Sequence, residues 1–262
     1  MPRLRPALPL IAIALAHLSS AAATEQIVAP NSGAKIVNQL SHSGNACGPA
    51  ALLSAFKLAT PRWQEIPHKI PGSTDRARLS YVIKTYGGRP SRHVKGRSRW
   101  DSKTGISLVD LTDVANELRL DKELPELKWE VLLPQKGESV QKLLKRTHRR
   151  MSRSLNRGIP PVVGLQRLAQ RQSGTAQTWA TVHGHFIVVT ALPRKLARNS
   201  SSIPIRYADP WGGQTRTGSL RLVDGQGLSA VAADLPESKV GRNQLRKGET
   251  SVVIVSSTLG DF

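Results

Sequence analysis

The chain carries one cysteine, and it stands in the run "GNACGPAALLSA" at positions 44–55. Cys47 is followed at once by Gly-Pro and an apolar, alanine-rich stretch, which places it at the start of an expected helix. A cysteine attacks as its thiolate, and a helix N-terminus and a neighbouring imidazolium both favour that form. A single thiol in an exported chain has three readings: a buried inert group, half of an intermolecular disulfide, or a nucleophile. The third needs a base, a group that orients the base and a donor for the developing oxyanion.

Seven histidines are available as the base. His148 lies in a basic helix, and His68 and His93 lie in polar stretches; all three read as surface residues. His42, just upstream of Cys47, reads as a loop residue that can border a site. The segment "HGHFIVVTAL" at 183–192 differs, because His185 directly precedes a β-branched strand and can stand at its entrance. His183 faces the same side of an extended strand and competes for the role. Downstream, "RYADPWGG" sets Asp209 at a strand end before a turn, where a carboxylate can accept an imidazole N–H and fix its tautomer. Upstream, the Gln39 amide can donate to an oxyanion together with the Cys47 backbone N–H, with Asn38 as an alternative donor.

Helices must position the first of these groups and strands the others. "CGPAALLSAFKLA" predicts a buried helix from Cys47 that tolerates Pro49 in its first turn and ends before Pro61. Thr74-Asp75 caps a second helix, stopped by Gly87-Gly88. "SLVDLTDVANELRL" reads as a third, and Ser139 caps a fourth that ends at Gly158. "LKWEVLLP" is strand-like. From residue 159 the texture turns to β-branched segments between Gly, Pro and Ser clusters: "IPPVVGLQRL", "WATVHGHFIVVTAL", "IPIRYADP", "GSLRLVD" and "ETSVVIVSS". Helices first and strands second predict an α+β domain.

These residues resemble papain-like cysteine peptidases. They are most similar to the bacteriocin-processing, double-glycine leader peptidases and their free-standing relatives. "NQLSHSGNACGPAALLSAF", "LNRGIPPVVGLQ", "HGHFIVVTAL" and "YADPWGG" match that pattern in kind and order. The resemblance implies a papain-like fold, with an N-terminal helical part carrying the cysteine helix packed on a C-terminal antiparallel sheet. It implies Cys47 as nucleophile, His185 as general base and acid, Asp209 as the orienting residue and Gln39 as oxyanion donor. A peptide or protein substrate and no cofactor follow from the same likeness. Residues 61–135 match nothing in the pattern and read as an insertion within one domain over 24–262.

The remaining features bear on location and partners. Arg3 and Arg5, an apolar stretch from Ala7 to about Leu18 and "AAA" at 21–23 read as a signal peptide cut after Ala23 or Ala22. The mature chain is then expected to be exported, either periplasmic or secreted. The formal charge of +20 favours anionic partners. Much of it lies in the helix near 140–157, where Lys142, Lys145, Arg146, Arg149, Arg150, Arg153 and Arg157 flank an apolar stripe of Val140, Leu144, Met151 and Leu155. That helix is expected to be a solvated face or a docking surface for a cell-envelope polymer or membrane surface. Aromatics make up 4 % of the chain and none lies in this helix, which disfavours stacking on single-stranded nucleic acid. The alternative to a hydrolase is a non-catalytic protein whose cationic face binds an anionic ligand. Iodoacetamide separates the two: an imidazole-activated Cys47 is alkylated in the folded protein at pH 6, whereas an inert structural thiol reacts slowly at that pH or is fully shielded.

Overall fold

The computed structural model describes residues 25–119, 123–173, 176–238 and 240–262. The expected signal peptide lies outside the described residues, among which no helix is long and apolar enough to cross a membrane. The architecture is mixed helix and antiparallel sheet. After β1 (Gln26–Val28) come α1 (Cys47–Leu58), α2 (Pro61–Lys69) and α3 (Asp75–Val82), which runs on into a π-turn at Ile83–Gly87. A small hairpin, β2 (Trp100–Asp101) and β3 (Gly105–Ile106), precedes α4 (Leu108–Arg119), β4 (Lys128–Val131) and α5 (Val140–Asn156). The C-terminal half is all strand: β5 (Val162–Ser173), β6 (Ala176–Pro193), β7 (Ser202–Asp209), β8 (Gln214–Gly225), β9 (Leu228–Asp234) and β10 (Ser251–Gly260).

The helical caps follow the expected chemistry. Thr74 and Ser139 accept from the amides of Ala77 and Lys142, and Ser107 from that of Asp110. Helix α2 was not expected. Pro61 occupies its first turn, where proline needs no N–H partner, and Trp63 and Ile66 bury its apolar side. Strand β9, "LSAVAAD", was also unexpected. Its alanines carry weak strand preference, and their burial inside the sheet overrides it.

Helix α1 is buried almost all round, from Gly48 to Phe56 and at Leu58, as befits a helix apolar on every face. It lies between the sheet and helices α2, α3 and α4. Each of its fully buried leucines and its phenylalanine contributes roughly 1.5–3 kcal/mol of transfer free energy. In the sheet, β6 pairs with both β5 and β7, so the strand order β6-β5-β10-β9-β8-β7 closes on itself. Strand β4 adds to β10.

Residues 61–135, read above as an insertion within the one domain, pack into its core. Trp63, Leu79, Leu111 and Leu127 share one core with α1 and the sheet, and β4 belongs to that sheet. The cationic helix also departs from expectation. His148 is buried, with Nε2 2.7 Å from the Pro193 carbonyl oxygen. Arg146 is 7 % exposed and is satisfied by Glu130, Glu138 and two backbone carbonyls. Arg150 pairs with Glu130 and Arg157 with Asp261. What α5 presents to solvent without a carboxylate partner among the described residues is the stripe Lys142, Lys145, Arg149 and Arg153.

Gly48 fixes how closely α1 approaches its neighbours. A Cβ there would stand 2.4 Å from Ile106 Cγ2 and 3.4 Å from the Phe186 ring. Gly48→Ala is therefore expected to cost about 1–3 kcal/mol of stability by overpacking. Gly44→Ala, with nothing within 4 Å of its Cβ position, should shift the melting temperature little. Thermal unfolding of both variants checks this.

Candidate active site

Three tethers set the position of the thiol. Before α1, Asn45 Nδ2 donates to the carbonyls of Ser102 and Lys103 at 2.7 and 2.9 Å, and the Asn45 carbonyl accepts from Trp100 Nε1 at 3.0 Å. The β2–β3 hairpin, inside the segment that matched no family pattern, thus clamps the residue two places before Cys47. Further upstream, the Val37 amide donates to Ser54 Oγ on α1 at 3.0 Å, and the Gln39 amide to the Pro210 carbonyl at 2.9 Å. The loop is thereby fixed to the cysteine helix and to the turn after β7 together. Ala46 at the N-cap offers no side-chain acceptor, so no capping side chain bonds the first amides of α1.

The strands deliver the other groups. Pairing of Val188 with Ala208 brings the end of β7 alongside β6, where Asp209 reaches His185. His185 Nε2 lies 2.8 Å from Asp209 Oδ1, and both residues are buried, at 4 % and 1 % exposure. The same oxygen accepts the Trp211 amide at 2.9 Å. Nε2 is thus committed to Asp209, and the ring's remaining nitrogen, Nδ1, is the one left for the Cys47 thiol, which lines the same cavity as His185. Cys47 itself is partly exposed. The fold therefore brings together Cys47, His185 and Asp209 from α1, β6 and β7.

The two histidines of β6 have opposite proton affinities. Burial alone would lower His185, but its hydrogen bond to Asp209 and the influence of the neighbouring Cys47 outweigh it and push the imidazole up to about 9. His183 is held below its ordinary value by burial and by the charges of His185 and Arg167. At neutral pH one imidazole is cationic and the other neutral, and it is His185 that meets both the carboxylate and the thiol. His42 is lowered by burial, Lys84 and Arg76, and bonds Ser80 Oγ at 2.9 Å as a loop residue.

Gln39 does not stand as an open oxyanion donor. Its side chain is fully buried, Nε2 donates to the Gly44 carbonyl, and it lines neither half of the cleft. Eight residues separate it from Cys47, and that length of loop folds the amide back onto its own turn. Asn38 is set apart from the thiol: it lines neither cavity that meets at His185 but a different one, and its Oδ1 accepts the amides of Leu40 and Gly212 at 3.0 and 3.2 Å. The uncapped amides at the start of α1 are the donors that remain beside the thiol.

No family model and no curated protein sequence matches the chain. Its chemistry is therefore read from its own geometry. Two adjoining cavities meet at His185, both bordered by Asn45 and His183. One, of about 370 Å³, holds Cys47 between the β2–β3 hairpin and the β5–β6 strands. The other, of about 500 Å³, opens past Asp209 and Trp211 toward the segment 240–244. The hairpin and this last segment were not recognised as site elements from sequence; their residue types are ordinary, and only the tertiary fold puts them beside the thiol.

His185 is expected to titrate near 9 when followed by NMR, above His42 and His183. Cys47→Ala and Asp209→Asn should each lower its midpoint. The linked stability has a definite sign. Since the folded value exceeds the ordinary 6.5, the group's contribution is complete below 6.5 and is lost as pH rises through about 9. The wild-type melting temperature should therefore fall across that window more steeply than that of Cys47→Ala.

Proposed function

We propose that this protein is an exported cysteine hydrolase of papain-like type, most simply a peptidase, acting through Cys47, His185 and Asp209. The observation that carries the reading is the partly exposed thiol at an uncapped helix start, in one cavity with a buried imidazole whose Nε2 meets a carboxylate. The order helix-borne cysteine, strand-borne histidine, strand-end aspartate supports the family likeness, as does the closed antiparallel sheet. Amidase or acyl-transfer chemistry on a peptide-like substrate would use the same groups.

In the reaction, the Cys47 thiolate attacks the amide carbonyl carbon, and the carbonyl electrons move to oxygen. The α1 amides stabilise that oxyanion through hydrogen bonds and the helix dipole. As the C–N bond breaks, His185 gives its proton to the departing amine and leaves a thioester on Cys47. Neutral His185 then removes a proton from water. The resulting hydroxide attacks the thioester, the C–S bond breaks, and thiolate and imidazolium are restored. Asp209 keeps the ring in position and stabilises its charged state throughout.

A second reading rests on the exposed cations of α5: Lys142, Lys145, Arg149 and Arg153. They would suit an anionic envelope polymer or membrane surface, either alongside hydrolysis or in place of it.

Assay of the purified protein on unfolded protein substrates and peptide pools distinguishes the two readings. Cys47→Ala is expected to lose at least about 10³-fold in rate, and Asp209→Asn about 10²-fold or more. The alkaline limb of kcat/KM should fall near pH 9, where His185 loses the proton it must donate. Full activity in Cys47→Ala on a verified substrate would overturn the hydrolase reading.

A further inference from the structure

The larger cavity has a charge pattern that the proposed chemistry leaves unused. If His185 protonates the departing amine, the departing fragment must lie on the imidazole side of Cys47. The 500 Å³ cavity is on that side: it is bordered by His185, Asp209 and Trp211, whereas Cys47 borders the other. Its sole lining carboxylate among the described residues is Asp209, whose Oδ1 is taken by His185 and the Trp211 amide.

The cations there are not balanced. Arg242, on the rim, is exposed, and its printed contact is a 3.2 Å hydrogen bond from Nη2 to the neutral Pro236 carbonyl. Arg167 does not line the cavity but stands behind it, paired across the strands with the lining residue His183; it donates Nε to the Val240 carbonyl and Nη1 to Ser251 Oγ at 2.9 Å, again neutral acceptors. Burial and the charge of Arg242 hold Arg167 below its ordinary value, as expected where guanidiniums gather without a counter-ion. The nearest acids along the chain are spent elsewhere, Glu237 on Arg216 and Glu249 on Arg171. Between them, "SKVGRNQLRK" at 238–247 contains no acid at all.

We propose that this cavity receives a carboxylate of the leaving fragment, with Arg242 as its principal electrostatic partner, so that the enzyme selects substrates that are anionic just beyond the scissile bond. The inference rests on the hydrolase reading and on the direction in which the amine must depart. The carboxylate could belong to an acidic side chain or to the fragment's own C-terminus; both offer the same charge to a guanidinium.

Internally quenched peptides test it. One set carries Glu, Gln or Lys at the first two leaving-side positions with an amidated C-terminus; another carries Ala there with a free C-terminal carboxylate two residues from the bond. The Glu peptide should exceed the Lys peptide by about tenfold in kcat/KM, and the gap should shrink at high salt. Arg242→Glu should abolish or invert the order, and Arg242→Lys should keep it. The source of the carboxylate is read from which set gains over the Gln peptide. Equal cleavage of Glu and Lys peptides, or a preference that survives Arg242→Glu, overturns the inference and leaves the hydrolase reading intact. Failure to cleave any peptide counts against the hydrolase reading instead. In that case the cavity's charge is still read on Cys47 itself. The ratio of alkylation rates by iodoacetate and iodoacetamide should fall about threefold in Arg242→Glu, and an unchanged ratio overturns the assignment.

Discussion

Taking a cation out of water costs several kcal/mol unless partners replace its hydration. His185 is 4 % exposed and yet holds its proton more tightly than a free imidazole. Asp209 must therefore be held in place, and the surrounding structure is organised to do so. Its carboxylate oxygen also accepts the Trp211 amide, which closes the turn after β7. The segment 36–41 fastens that turn through the Gln39 amide to Pro210 and the Gly212 amide to Asn38. At Gly213, φ is +67° and a Cβ would meet the Ile36 carbonyl at 3.0 Å, so a side chain there would prise the two segments apart. A buried charge pair of this kind contributes little net stability, and removing one partner is costly. Its retention is better understood through the proton it positions.

The parts of this arrangement that could be seen in the sequence are those that depend on local signals. Cys47 before Gly-Pro and Asp209 before Pro-Trp-Gly-Gly announce a helix start and a strand end, whereas His185, expected at a strand entrance, lies inside β6, which begins at Ala176. Ser139 and Thr74 mark their helices for the same reason: a hydroxyl at an N-cap is a local device. What stayed hidden depends on partners far along the chain. Arg146 and His148 sit in a run that reads as a solvated cationic face, and they are buried because Glu130, Glu138 and the Pro193 carbonyl happen to face them. Strand β9 is alanine-rich and lacks β-branched bulk; its conformation comes from pairing with β8. Gln39 has the right chemistry for an oxyanion donor, but its amide is closer to the Gly44 carbonyl than a sequence pattern could tell.

The net charge of +20 is likewise distributed in a way the total conceals. Several arginines act as internal ties, joining α5 to β4 and to the C-terminal residue pair Asp261–Phe262. Arg99 is 2 % exposed and is bound to Glu117 at 2.8 Å, so it braces α4 against the segment before the hairpin. Arginine suits this work because its planar fork can satisfy carboxylates and carbonyls together. Among the described residues, cations without an ion-pair partner include the outer stripe of α5, Arg242 on the rim of the cleft beyond Trp211, and Lys103 in the cavity that holds Cys47. Arg242 and Lys103 border the two cavities that meet at His185, whereas the α5 stripe borders neither.

The start of α1 shows how stability and reactivity are divided between neighbouring residues. A serine or aspartate at position 46 would cap the helix and typically add about 1 kcal/mol. Its oxygen would also occupy the amides that, in the proposed hydrolase, face the oxyanion. Alanine leaves them open, and the lost cap is offset by contacts displaced one residue to either side. Asn45 turns its amide outward to the hairpin carbonyls rather than inward to the helix. Gly48 lets Ile106 and Phe186 close against the first turn. The helix is thus anchored by packing and by its preceding residue, while the terminus between them keeps its dipole and its hydrogen-bond donors for a ligand.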